Sequence, residues 1–204
     1  MEIIICVLAA VLGLCVGSFL NVVIYRVPNG MSIAWPPSHC PKCNYKLKWY
    51  DNIPVLSYII LGGKCRSCKQ PISIRYTLVE LLNMALWLLC ALRFADNLFY
   101  LVVCCLAVST LVVITFVDLE HMLIFDRFQL TMLVLGVVAI FADPSVVWWH
   151  RLVGFAAGGL LFFVFYGVSY LVYKQEAMGF GDVKLAAVCG LLLGWQSLIV
   201  MVLV

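Results

Sequence analysis

Charge is what this sequence has least of. Only 11% of its 204 residues are Asp, Glu, Lys or Arg, while 65% are hydrophobic; soluble domains run near a quarter charged and about half apolar. An ordinary soluble globular domain is therefore excluded. No internal repeat and no low-complexity segment occurs, and no G-x-G-x-x-G follows a strand pattern, so neither a solenoid nor a doubly wound nucleotide fold is indicated. The net charge of +3 arises from one crowded loop, so it is no footprint of nucleic-acid binding.

The apolar residues are instead gathered into runs. Six are long or nearly long enough to cross a hydrocarbon core, which takes roughly 20 helical residues: 3–25, 76–94, 98–117, 128–142, 152–173 and 185–204. The fourth is short and borrows 123–125 to reach across. The first has Met1-Glu2 rather than basic residues before it, so it reads as a spanning helix and not a signal peptide. The apolar stretch 54–61 is too short to span and belongs on the neighbouring loop or at the interface. The expected fold is an all-α polytopic membrane protein of about six transmembrane helices with a small cytoplasmic zinc-stapled loop domain. Its expected parts are a first helix at 1–27, a zinc-binding domain at 28–75 and a membrane-embedded bundle at 76–204. The last run ends with the chain, so further C-terminal helices are expected in the complete protein.

Of 13 Lys and Arg, eight (Arg26, Lys42, Lys46, Lys48, Lys64, Arg66, Lys69 and Arg75) fall between the first two runs. This bias places that loop in the cytoplasm and the N-terminus outside. Segments 118–127 and 174–184 then return to the cytoplasm, and 95–97 and 143–151 face outward. Arg151 is on the wrong side for the rule.

The loop carries Cys40-Pro-Lys-Cys43 and Cys65-Arg-Ser-Cys68. Two C-x-x-C pairs at this separation are the pattern of a structural zinc site. Cytoplasmic thiols are kept reduced, and a segment this small needs a metal where a core is missing. Redox thiols, or thiols without metal, are the other reading. The remaining cysteines (Cys6, Cys15, Cys90, Cys104, Cys105 and Cys189) lie in apolar runs and behave as small packing residues. His39 adjoins Cys40, but four thiols already complete a shell.

Acids near a bilayer are costly and so informative. Asp118 closes the third run in Asp118-Leu-Glu120-His121, and Asp182 opens the sixth in Gly179-Phe-Gly181-Asp182-Val-Lys184. The charge bias puts both at cytoplasmic helix ends. Two carboxylates meeting there would share one proton, so that one activates water while the other protonates the scissile group. Gly179 and Gly181 would permit close approach of a peptide. The alternative makes both acids helix-end caps or partners of Arg127 and Lys184. Glu80, one turn into the second run, is either a functional acid or a contact of Arg75 or Tyr76. Ser18 and Asn21 read as interhelical hydrogen-bond donors.

Taken together, Gly17-Ser-Phe-Leu-Asn-Val-Val-Ile-Tyr-Arg26, the double C-x-x-C loop with Trp49-Tyr-Asp51-Asn-Ile-Pro54, Arg75-Tyr76…Glu80, Asp118-Leu-Glu-His-Met-Leu-Ile124 and Gly179-Phe-Gly-Asp182-Val-Lys184 resemble the bacterial type IV prepilin peptidase family. The resemblance implies a polytopic aspartyl endopeptidase of the inner membrane. Such enzymes remove the short basic leader of prepilins or pseudopilins after a Gly on the cytoplasmic side. It also implies N-methylation of the new terminus with S-adenosylmethionine, at a site the sequence does not place. Asp118 and Asp182 take the catalytic positions, and Cys40, Cys43, Cys65 and Cys68 the zinc positions. Gly179, Gly181, Lys184, Asp126 and Glu80 are expected to support the substrate site. Where the family often has Pro before the second acid of its first motif, Phe125 precedes Asp126. The bilayer and a prepilin are the expected partners, and no oligomeric state can be read. A zinc-stapled transporter with Glu80, Asp118 and Asp182 along a cation path is the competing reading.

Overall fold

The computed structural model describes residues 2–143, 145–173 and 179–196. Its helices are α1 (Glu2–Arg26), α2 (Leu56–Ile60), α3 (Arg75–Phe94), α4 (Leu98–His121), α5 (Asp126–Ala142), α6 (Trp148–Tyr173) and α7 (Phe180–Leu193), with a 3-10 turn at Trp49–Asn52. No strand occurs among the described residues; the only extended pairings there are two isolated antiparallel bridges. The all-α expectation holds. Among the described residues, four helices (α1, α3, α4 and α6) are long and apolar enough to cross a membrane. With 17 residues α5 is at the short end of the range for a crossing. The sixth expected run begins in α7, and its residues 197–204 lie outside the described residues.

The chain divides into two compact units. The first holds Met1–Asp96 and Leu111–His121, and the second Asn97–Thr110 with everything from Met122 onward, so α4 contributes one stretch to each.

In the first unit α1 packs on α3. Gly13 and Gly17 lie one turn apart on α1. A Cβ on Gly17 would stand 2.8 Å from the Glu80 Cα, and one on Gly13 3.0 Å from the Met84 Cα. Small residues at this spacing let two helix backbones approach closely, which membrane helices need because burying leucine gains nothing over lipid. Amide side chains then bridge the gap. Asn21 Nδ2 donates to the Tyr76 carbonyl at 3.0 Å, and the fully buried Asn83 donates to the Gly13 carbonyl at 2.8 Å. Asn21 thus has its expected interhelical role. At the end of α1, buried Arg26 donates to the carbonyls of Ser32, Ile33 and Pro36, and so folds the chain into the loop.

In the second unit α7 packs against α5 and α6. Gly154 and Gly190 bring the α6 and α7 backbones together so closely that a Cβ on either would overlap the other's carbonyl. Arg151, anomalous as a loop charge, is fully buried: it ion-pairs with Asp143 at 2.9 Å, donates to the Leu192 carbonyl, and lies 5.6 Å from the centre of the Tyr100 ring. A neutralised, buried arginine is no exception to a rule about loop charge.

The contact at Gly17 is with backbone, which cannot swing aside as a side-chain tip can. Gly17→Val should therefore cost about 1–3 kcal/mol. It should appear as a lowered thermal midpoint of the detergent-solubilised protein, larger than that of Gly167→Ala, where no atom lies within 4 Å of the added Cβ.

Candidate functional site

Each C-x-x-C folds as a knuckle, and the two repeat one another. In the first, the Cys40 amide donates to the Tyr45 carbonyl and the Asn44 amide to the Cys40 carbonyl, both at 2.9 Å. In the second, the Cys65 amide donates to Gln70 at 2.8 Å and the Lys69 amide to Cys65 at 3.1 Å. The residue after the second cysteine takes a left-handed conformation in both, Asn44 at φ 56° and Lys69 at φ 59°. Each knuckle is closed by one bridge, His39 with Lys46 and Lys64 with Pro71.

Four thiols result, all within 4.8 Å of one another. Cys40 and Cys68 sulfurs lie 3.9 Å apart, and those of Cys43 and Cys65 4.0 Å. A tetrahedral zinc tetrathiolate with bonds of about 2.3 Å sets its sulfurs about 3.8 Å apart, so the residues fit that ion. Backbone amides of Cys68 and Ser67 pull the Cys65 thiol down to about 7, towards the thiolate that a metal binds. The Gln70 amide also favours the Cys68 thiolate, but burial and the neighbouring thiols together push Cys68 up to about 11. A closed shell would leave no position for substrate, so an ion held there would serve the fold.

The rest of the loop is tied to this cluster. Arg66, inside the second knuckle, pairs at 2.8 Å with Asp51, whose side chain is fully buried and also accepts the Lys48 amide. Arg66 lies 5.1 Å from the centre of the Tyr50 ring. That links the Trp49–Asn52 turn to the thiols. Glu80 is buried on α3, and its Oε2 accepts the Val55 amide at 2.8 Å, just ahead of α2. Neither partner expected for it is used: Arg75 pairs with Glu120, and the Tyr76 carbonyl takes Asn21. Glu80 therefore anchors α2, whose Leu56, Ile59 and Ile60 are exposed and apolar, as suits a short helix lying at a membrane interface.

Asp118 is exposed in the last turns of α4, in the first unit. Asp182 is half-buried in the first turn of α7, in the second unit, where the helix dipole favours an acid. Gly179 precedes that helix as its N-cap, and the Asp182 amide donates to its carbonyl at 3.1 Å. Lys184 pairs with Asp126 at 2.7 Å, with both side chains well exposed. Arg127 lies over the Phe125 ring. One residue escaped the sequence reading: buried Gln129 donates from Nε2 to the Gly181 carbonyl at 2.8 Å. Its signal was the spacing from Asp126, three residues earlier on the same helical face. Beside these polar groups lies an apolar groove of about 800 Å³, lined by Leu130, Leu133, Phe155, Leu160, Phe163 and Val188 among others, with Asp126, Gln129 and Lys184 also in its lining.

The metal reading makes a direct expectation. Protein purified without chelator should carry about one zinc per chain, and Cys65→Ser should lose most of it while making the 28–75 loop sensitive to protease. Stoichiometric protein with negligible metal and a protease-resistant loop would contradict it.

Residues 11–94 match the bacterial peptidase A24 N-terminal domain, and residues 105–204 match the type IV leader peptidase family. The chain is 43% identical, over 93% of its length, to a prepilin leader peptidase/N-methyltransferase of Myxococcus xanthus, of which it spans 56%. It is 37% identical to a protein of the same name from Klebsiella pneumoniae, covering 91% of this chain and 84% of that one. With the type 4 prepilin-like proteins leader peptide-processing enzyme of Escherichia coli it shares 37% identity, over 94% and 78% of the two chains. No solved structure matches the chain. Two family models in the expected order, covering both the cysteine loop and the glycine–aspartate helix start, establish that the chain belongs to the type IV leader peptidase family.

Proposed function

We propose that this protein is an aspartyl endopeptidase that removes the leader of a type IV prepilin or pseudopilin after a Gly, on the cytoplasmic side of the bacterial inner membrane, and N-methylates the new terminus. Family membership carries this reading, together with acids at helix ends: Asp118 in the last turns of α4 and Asp182 in the first turn of α7. In the proposed reaction one carboxylate takes a proton from water, whose oxygen adds to the scissile carbonyl. The other carboxyl, protonated at the start, gives its proton to the carbonyl oxygen. On collapse of the resulting gem-diol the first carboxyl passes the proton it took from water to the leaving amine and the second recovers a hydroxyl proton, so water divides between the new carboxyl and amino ends. Zinc would be held by Cys40, Cys43, Cys65 and Cys68 and would fix the loop without entering that chemistry. S-adenosylmethionine would supply the methyl group for the second activity.

Two sets of variants test the roles. Asp118→Asn and Asp182→Asn keep the shape but remove proton transfer, so each should lower cleavage of a purified prepilin by at least about a hundredfold while the protein stays inserted and zinc-loaded. Methylation of a pre-cut pilin should survive both changes if the two activities use separate sites. Asp126→Asn should stay within about fivefold of the parent, because an exposed ion pair contributes at most about 1 kcal/mol. Normal cleavage by either the Asp118 or the Asp182 variant would defeat the mechanism.

Topology has its own check. Cysteine labelling or reporter fusions should place Asp51, Glu120 and Glu176 inside and the N-terminus outside. Glu120 and Glu176 on opposite sides would rule out one active site shared by the two acids.

A further inference from the structure

We propose that Gln129 is a positioning residue for Asp182, orienting its carboxylate through the peptide unit that precedes it. The inference rests on the aspartyl reading above and deepens it.

The Gly181 carbonyl that accepts Gln129 Nε2 belongs to the peptide bond whose nitrogen is that of Asp182. A peptide unit is planar. Holding its carbonyl oxygen therefore fixes the plane that carries the Asp182 nitrogen and Cα, and with it the direction in which the Asp182 side chain leaves the backbone. Such a restraint is needed here because Gly179 and Gly181 flank the start of the helix, and glycine has the widest choice of backbone conformations. The Gly181 backbone is also closely packed: a Cβ there would stand 3.1 Å from Ile124 Cβ and in ordinary contact, 3.6 Å, with Gln129 Nε2.

Two links join the first turn of α5 to the first turn of α7, one on each side of Asp182. Asp126 holds Lys184, and Gln129 holds Gly181. They are unequal. The side chains of Lys184 and Asp126 are 44% and 81% exposed, so water competes for that link. Gln129 is 5% exposed, and water is largely kept from its hydrogen bond. The orientation of its amide follows from chemistry, since only the NH₂ end can donate to a carbonyl. Its other end is the more telling: among the described residues Gln129 Oε1 is buried with no hydrogen-bond partner. A leucine in that place would avoid the cost of a buried, unsatisfied acceptor. Packing alone thus gives no reason for an amide here, whereas the grip on Gly181 does.

The experiment compares Gln129→Leu, Gln129→Asn and Asp182→Asn, using purified full-chain protein and a purified prepilin as substrate. Leucine removes the donor, and asparagine keeps an amide but draws it back by one methylene. Each Gln129 variant should lose about ten- to a hundredfold in kcat, with KM within about threefold, as a small misplacement of a reacting group does. Thermal midpoint and zinc content should be unchanged in both, or the midpoint raised in Gln129→Leu. A packing residue would lower stability and activity together. Wild-type kcat in Gln129→Leu overturns the proposal. So does a rise confined to KM, which would place the amide against the substrate, and so does unfolding of both variants. Cleavage by Asp182→Asn overturns the underlying catalytic reading instead, and is recognised without reference to Gln129.

Discussion

A helix surrounded by hydrocarbon gains nothing by exchanging a lipid tail for a neighbouring leucine. That constraint shapes both units of this protein. Cohesion has to come from backbones brought close enough for dense packing, and from polar groups that would otherwise be unsatisfied in lipid. Gly13 and Gly17 supply the first in one unit, and Gly154 with Gly190 in the other. Asn83, donating to the Gly13 carbonyl, and Arg151, donating to the Leu192 carbonyl, supply the second. Large apolar side chains are left to face outward, as the exposed Ile3, Val7 and Leu8 of α1 and Leu160, Phe163 and Leu171 of α6 do.

The cysteine loop solves the opposite problem. It has too little apolar sequence to bury as a core. Cys65 is its one buried cysteine, Asp51 its buried acid, and Arg66 lies between Cys65 and Cys68 and holds that acid. The two knuckles use the same turn twice, so the loop is built from one small device and a link. Its far end is fastened by Glu80 through the Val55 amide. Thiols and a membrane-helix carboxylate thus do what a core would do in a larger domain.

The sequence showed what is local. Hydrophobic runs long enough to be helices, cysteines three apart, and glycines beside an acid all declare themselves within a few residues. What it hid is what depends on neighbours far along the chain. Gly13 and Gly17 could have been noticed as a small-residue pair, but nothing nearby says that Glu80 and Met84 face them. Arg151 looked like a misplaced loop charge because Asp143, Tyr100 and Leu192 come together with it only in the fold. Gln129 carries no local signal of its partner, since it donates to the Gly181 carbonyl 52 positions on. The partner of Glu80 was sought one turn away on its own helix and is found before α2 instead, because a side chain in a packed helix reaches across as readily as along.

The way the acids are used also bears on the competing idea of a cation path. Such a path needs carboxylates that face a common route and change partners as ions pass. Glu80, buried on α3, is 7% exposed and held by a backbone amide that anchors the neighbouring loop. Asp143 is likewise committed to a buried arginine, and Asp51 to Arg66. A group that holds the fold together is a poor site for an ion that must leave again, since each departure would release a buried contact. Hydrolysis asks less of the fold. It needs two acids that reach one water, and it would leave Glu80, Asp143 and Asp51 to the structural work in which they are found.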